Sequence, residues 1–226
     1  MSPGVDSTTL NYIGTDESGK GDYFGPLVIA AVCVTPETRD RLLALDVKDS
    51  KTTSDNKVRR IAEAIISELP HAIVAIGSEK YNDLYEKIKN LNRLLAWGHA
   101  RAIENVLAKC AVETAITDQF GDPGYVRNAL MKKGQGIELI QETKGERHLG
   151  VAAASMVARA KFLEYLDRYS MVAGVNLPKG AGQNVDAAAA EYCRKHSPET
   201  LRKVAKVHFK NTGKVYALLG ANTHRN

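Results

Sequence analysis

The chain reads as an α/β fold, a mixed central sheet flanked by helices, on three observations. Short apolar runs rich in β-formers alternate with stretches of helical period. Apolar residues make up 44% of the 226, enough for a sizeable core. No internal repeat and no long Pro/Gly/Ser linker divides the chain. The expected arrangement is a short leader over residues 1–9 and one domain over residues 10–226.

Tyr12 and Ile13 open an apolar strand that runs into Asp16 and Glu17. The Gly-rich turn GKGDYFGP follows, and LVIAAVCV after it is apolar and long enough for a buried strand, giving a hairpin-like pair. Between Asn56 and Glu68, the residues Val58, Ile61, Ile65 and Ile66 fall on one side of a helix, with Ser54 and Asp55 as caps and Pro70 as a stop. AIVAIGS (72–78) reads as a strand. From Leu91 to Lys109, Leu94, Leu95, Trp97, Ile103, Val106 and Leu107 fit an amphipathic helix, although Gly98 is a poor helix former. VETAITD (112–118) is a strand ending on Asp118, and IELIQET (137–143) is a further strand. VAAASMVARAKFLEYLDRY is a long helix whose small-residue start permits close approach to a sheet. LPKGAGQN (177–184) is loop-like, and helices near 184–195 and 198–207 close the chain.

A net charge of +5 suits a polyanionic partner and equally many ordinary proteins. Cys33, Cys110 and Cys193 lie in apolar runs without CxxC pairing, so they read as small buried hydrophobes; a disulfide framework and a zinc site are both disfavoured. No window approaches eighteen uninterrupted apolar residues, and the N-terminus lacks a signal-peptide pattern. A cytoplasmic monomer with no membrane partner is the expectation.

The chemistry concentrates in acids. Asp16 and Glu17 are adjacent, so on a regular strand they point to opposite faces; Gly19 and Gly21 suggest a loosened strand end that turns both towards one edge. Asp118 ends an apolar strand, where it is either a crevice acid or a loop acid capping Gln119 and Phe120. Glu146, in TKGERH, is either a site acid or a complement to the dipole of the following helix. Three or four carboxylates without His or Cys form an all-oxygen set that prefers Mg²⁺ or Mn²⁺ to zinc. Two such ions, roughly 3.5–4 Å apart, activate water and stabilise the leaving oxygen of a phosphodiester. On the residues alone, a polynucleotidyl transferase such as an integrase or resolvase is an alternative. A nucleic-acid-binding module is another, although it has no need of four acids together.

In SGKGDYFGP, Lys20 stands between Gly19 and Gly21, so backbone N–H groups can approach a nucleic-acid backbone while the ammonium meets phosphate. Tyr23, beside this loop, is the one aromatic expected to touch substrate. Lys48, Ser50 and Lys51 form a second loop, either a phosphate contact or a solvated turn. Arg194, Lys195, His196, Arg202, Lys203, Lys206, His208 and Lys210 are expected as a basic face for a duplex backbone or as a solvated helix face. His99, His148 and His208 are either groups that support the acids or shuttle protons, or structural histidines; their helical or helix-flanking surroundings favour the structural reading.

GTDESGKGDYFGP (14–26) resembles the type 2 ribonucleases H, and its GDYFGP part resembles ribonuclease HIII. NRLLAWGHARAIENVL (92–107), ITDQFG (116–121), KGERHLGVAAASMVARAKFL (144–163) and LPKGAGQNVDAAAAEY (177–192) are similar to ribonuclease HIII segments in the same order, so the resemblance covers residues 10–220. It implies a ribonuclease H-like fold and metal-dependent hydrolysis of the RNA strand of RNA/DNA hybrids, with Mg²⁺ or Mn²⁺, leaving 3′-hydroxyl and 5′-phosphate ends. It implies Asp16, Glu17, Asp118 and Glu146 as the metal-binding acids, Glu at the last position matching the HIII branch. Gly19, Lys20 and Gly21 take the place of the motif that senses the ribose 2′-OH. In ribonuclease HII a Tyr or Thr reads the RNA-to-DNA junction; Lys161 stands in the corresponding place here. Stretches of several ribonucleotides, rather than a single embedded one, are therefore the expected substrate. Ribonuclease HIII proteins usually carry an N-terminal substrate-binding domain, and about nine residues precede the match here. Hybrid affinity is expected either to be weaker or to come from the basic loops and the C-terminal helices.

Overall fold

A computed structural model of the chain describes residues 11–47, 50 and 53–223. Five strands, β1 (Tyr12–Ser18), β2 (Leu27–Val34), β3 (His71–Ile76), β4 (Thr114–Asp118) and β5 (Glu138–Glu142), form one sheet in the order β3-β2-β1-β4-β5. The β1, β4 and β5 strands run parallel, with Thr15 level with Thr117 and Asp118 level with Glu142. Parallel neighbours need a crossover, and most of the helical residues lie between such strands or after β5. The helices are α1 (Pro36–Ala44), α2 (Asp55–Glu68), α3 (Ser78–Ile88), α4 (Leu91–Leu107), α5 (Gly124–Ala129), α6 (Leu149–Ala173), α7 (Gln183–His196) and α8 (Lys210–Thr223). None of the described helices is long and apolar enough to cross a membrane.

Local sequence explains the elements that periodicity foresaw and several that it did not. Every residue of β2 is buried, as a continuous apolar run requires. Helix α2 buries Val58, Ile61, Ala62 and Ile65 along one side. Helix α1 was not expected, because Leu42 is its one buried residue; it is nucleated instead by a capping box between Thr35 and Thr38, with Pro36 in the first turn. The expected helix at 198–207 is corrected: Pro198–Lys203 forms a 3₁₀ helix, entered through Ser197 at a φ of 132°. The three cysteines are free, with Cys33 and Cys193 buried.

The chain resolves into two compact units. The first comprises the residues up to Glu17 with Ile29–Val74 and Leu91–Ala160, and so holds most of the sheet with α4 and the start of α6. In it, α6 approaches β1 at two glycines. A Cβ on Gly14 would sit 2.0 Å from the Gly150 carbonyl carbon, and one on Gly150 would sit 2.8 Å from Val34 and 2.9 Å from Tyr12. The Gly150 N–H donates to the Tyr12 hydroxyl at 3.0 Å. The small-residue start of the long helix thus makes the close approach expected of it.

The second unit comprises Ser18–Val28, Ala75–Asn90 and Lys161–Asn226. Its centre is the segment Asp22–Gly25, strapped from two sides. The Tyr23 N–H donates to the Gly180 carbonyl, the Lys206 N–H to the Tyr23 carbonyl and the Gly25 N–H to the Val204 carbonyl, all at 2.8–2.9 Å. Lys206 is fully buried, its Nζ donating to the carbonyls of Asp22 at 2.9 Å and Gly25 at 2.7 Å and lying 5.5 Å from the Tyr81 ring centroid. Lys206 therefore does not belong to a basic face: the main chain, not solvent or substrate, receives its charge.

Candidate active site

Alternation along β1 sorts its side chains between two helices. Gly14 and Asp16 face α6, where Gly14 meets Gly150 and Val151 and Asp16 bonds Ser155. Thr15 and Glu17 face α4, where both meet His99. The loosened strand end expected after Asp16 does not occur, since β1 continues through Ser18. Asp16 and Glu17 consequently part to opposite faces, a correction to the single-edge expectation.

Asp118 follows Thr117 on β4, as Asp16 follows Thr15 on β1, and Thr15 and Thr117 are level, so the two aspartates come next in register on neighbouring parallel strands. The Gly145 N–H donates to Asp118 Oδ1 at 2.9 Å, which brings the one-turn helix Gly145–Arg147, and with it Glu146, up to this strand end. Asp16 also receives the Glu17 N–H at 2.8 Å. Burial, then the Glu17 charge, then that of Asp118 push the Asp16 carboxyl up to about 7 against the hydrogen bonds from Ser155 and the Glu17 amide. Nearby, Glu142 takes hydrogen bonds from His148 at 3.0 Å and from Arg147, which hold its carboxyl below the usual range, His148 first.

The remaining predicted residues divide sharply. Gly19 lies at a φ of 89°, and a Cβ there would meet the Pro26 carbonyl at 2.1 Å, so its glycine serves the turn. Gly21 is exposed with nothing within 4 Å of a Cβ position, leaving room for an incoming backbone, and Lys20 beside it is half-buried. Tyr23 is not a surface aromatic: it is fully buried, bonds Thr212 at 2.9 Å and packs on Phe24 and Phe209. Ser50 is likewise enclosed rather than presented to phosphate, its hydroxyl 2.7 Å from that of Ser155 and its carbonyl receiving Arg159. Lys48 and Lys51 lie outside the described residues. Sequence reasoning set His99 aside as structural and overlooked Ser155. The signal for Ser155 was available, as a polar residue within an alanine run on an otherwise buried helix face.

Among the described residues, no three His, Cys, Asp or Glu side chains stand at metal-ligand spacing. The carboxylates are instead directed to protein partners: Glu17 to His99, Asp16 to Ser155 and Asp118 to Gly145. What fits a hard divalent cation is the chemistry of the set, oxygen donors crowded so closely that one of them resists ionisation.

The family model described as Ribonuclease HII matches residues 13–212. The chain belongs to the ribonuclease HII family. Its relatives within that family include ribonucleases HIII. One from Protochlamydia amoebophila (strain UWE25) is 43% identical over 209 residues, 92% of this chain and 69% of the relative. One from Bacillus mycoides (strain KBAB4) is 42% identical over 217 residues, 93% of this chain and 70% of the relative. A crystal structure of Bst-RNase HIII in complex with Mn²⁺ superposes with a TM-score of 0.89 at 35% identity, covering 98% of this chain and 75% of that one. Aquifex aeolicus RNase H3 gives 0.73 at 32% identity, over 89% and 73%. The resemblance read at GTDESGKGDYFGP therefore holds, and the sheet is that of a ribonuclease H-like fold. The chain is a ribonuclease H, a phosphodiester hydrolase that degrades the RNA strand of RNA/DNA hybrids.

Proposed function

We propose that Asp16, Glu17, Asp118 and Glu146 are the catalytic, metal-binding set for hybrid hydrolysis, with Mg²⁺ or Mn²⁺ as cofactor. The observation that carries this reading is the crowding at Asp16, a carboxyl under the charges of Glu17, next to it on β1, and of Asp118, at the end of the neighbouring β4. The relative solved with Mn²⁺ supports a divalent ion of this kind. When bound, the ions supply an activated water and stabilise the leaving 3′-oxygen. The chain's own groups prepare the acids: Ser155 and the Glu17 amide orient Asp16, the Gly145 amide orients Asp118, and Glu146 enters on the turn that Gly145 begins.

Gly19, Lys20 and Gly21 are assigned to the ribose 2′-OH and its phosphate, supported by the open space over Gly21. Lys48 and Lys51, with the exposed Arg194, Lys195, Lys203 and Lys210, are assigned to duplex phosphates. Lys161, standing where ribonuclease HII carries a junction-reading Tyr or Thr, supports a substrate of several consecutive ribonucleotides rather than one read at a junction. The working form is a cytoplasmic monomer.

Matched 5′-labelled duplexes, one RNA/DNA, one with a single ribonucleotide and one all-DNA, test this under Mg²⁺ and Mn²⁺ beside Asp16→Asn. Cleavage of the first alone, lost in the variant, is the expected result. Efficient nicking at the single ribonucleotide overturns the preference, and an active Asp16→Asn overturns the site.

A further inference from the structure

His99 is fully buried on α4, at a point where the helix comes unusually close to the sheet. The residue before it explains the approach: a Cβ on Gly98 would stand 2.6 Å from Ile29 Cδ1. The imidazole lies under the β1 and β4 strand ends and is held on every polar edge. Its Nδ1 is 2.8 Å from the Thr15 hydroxyl and 3.4 Å from that of Thr117, its Nε2 is 3.2 Å from Glu17 Oε2, and its ring stacks on Phe120 at 4.9 Å. A carboxylate at Nε2 requires an N–H there, and in the neutral ring Nδ1 then accepts from Thr15. The tautomer is thus set from β1, by a residue two positions before the acid that the ring addresses.

We propose that His99 is a positioning residue for Glu17, fixing one carboxylate oxygen and so orienting the carboxylate for a divalent cation or its water. The inference rests on the assignment of Glu17 to the metal-binding set. A structural histidine satisfied by its own helix would not need this pattern. Here every polar contact leaves the helix, and both ring nitrogens are engaged by groups within two residues of Asp16 or Asp118. A buried imidazole aligning a ligand carboxylate acts on affinity through orientation, and loss of such partners typically weakens metal binding about 10–100-fold.

Four proteins of full length decide it: His99→Phe, which keeps the bulk and removes the donor; His99→Gln, whose amide N–H can reach the Nε2 position; Thr15→Val, which removes the hydroxyl from Nδ1; and Asp16→Asn. Mn²⁺ binding to each is measured by titration calorimetry without substrate, and kcat and KM on the hybrid are measured separately. His99→Phe is expected to weaken Mn²⁺ binding about 10–100-fold and to lower kcat with KM for the hybrid nearly unchanged. His99→Gln recovers most of both, and Thr15→Val shows a smaller loss in the same direction. Wild-type Mn²⁺ affinity in His99→Phe, or equal loss in His99→Gln and His99→Phe, overturns the proposal. Should His99→Phe fail to fold, the pair His99→Gln and Thr15→Val decides: wild-type-like Gln beside a weakened Val supports it, and a Val variant with unchanged affinity sinks it. If Asp16→Asn also binds Mn²⁺ and cleaves as the wild type does, the carboxylate site itself is wrong; if Asp16→Asn is inert while both position-99 variants behave normally, His99 alone is misassigned.

Discussion

Each unit buries one titratable side chain whose proton is held near neutrality, Asp16 in the first and Lys206 in the second, for opposite reasons. Burial and two neighbouring acids push Asp16 up to about 7, whereas burial pulls Lys206 down to about 7 against a small opposing pull from Asp22. The lysine has been given what it needs: two backbone carbonyls and an aromatic face. The acid has been given more acids. A buried charge satisfied by main chain is an architectural element, while one left among like charges is a place prepared for something else.

The sharpest way to break that contrast is to neutralise each group in turn. Asp16→Asn keeps the shape and removes the charge, so hybrid cleavage is expected to fall by three or more orders of magnitude, on the order of what loss of a central catalytic group costs, with thermal stability unchanged or raised. Gel cleavage assays paired with calorimetric melting read both. Lys206→Ala should do the reverse, costing about 3 kcal/mol through the cavity and two unpaired carbonyls. Urea unfolding measures it, and a loss below about 1 kcal/mol would remove Lys206 from its architectural role.

Titration sharpens the comparison further. Asp16 binds its proton more tightly folded than unfolded, so in metal-free protein its contribution is complete below 3.8 and fades as pH rises to about 7. Lys206 holds its proton less tightly folded, so its contribution is present above 10.5 and fades as pH falls to about 7. Together they put a dip in stability near neutrality. Melting temperatures followed across pH with a chelator present should show the acid-side slope vanish in Asp16→Asn and the alkaline-side slope vanish in Lys206→Met. The smallest expected effect belongs to an exposed cation. Lys203→Gln should leave melting unchanged and reduce the salt slope of hybrid binding by about one.

What could be read from the amino-acid order follows from the range of the forces involved. All five strands of the sheet were legible because apolar runs and breakers are local. So were Asp16, Glu17 and Asp118, as acids in a strand or at its end. Helix α3 was not, since its buried residues are Ser78, Tyr81 and Asn82, and a polar buried face leaves no apolar period. The order of the strands depends on pairings across many residues, as does the meeting of Thr15 with His99, 84 positions apart. Lys206 was misread for a related reason: whether a lysine faces water is decided by carbonyls 181 and 184 residues away, and hydropathy has no term for them.

The glycine contact between β1 and α6 bears on how any saturation mutagenesis of this enzyme will look. Positions 14 and 150 admit no side chain, so a survey scored by surviving activity will mark them as intolerant as the carboxylates themselves. Soluble yield recorded beside activity tells the two kinds of intolerance apart: the glycine variants vanish from the cell, and the acid variants accumulate as folded, silent protein.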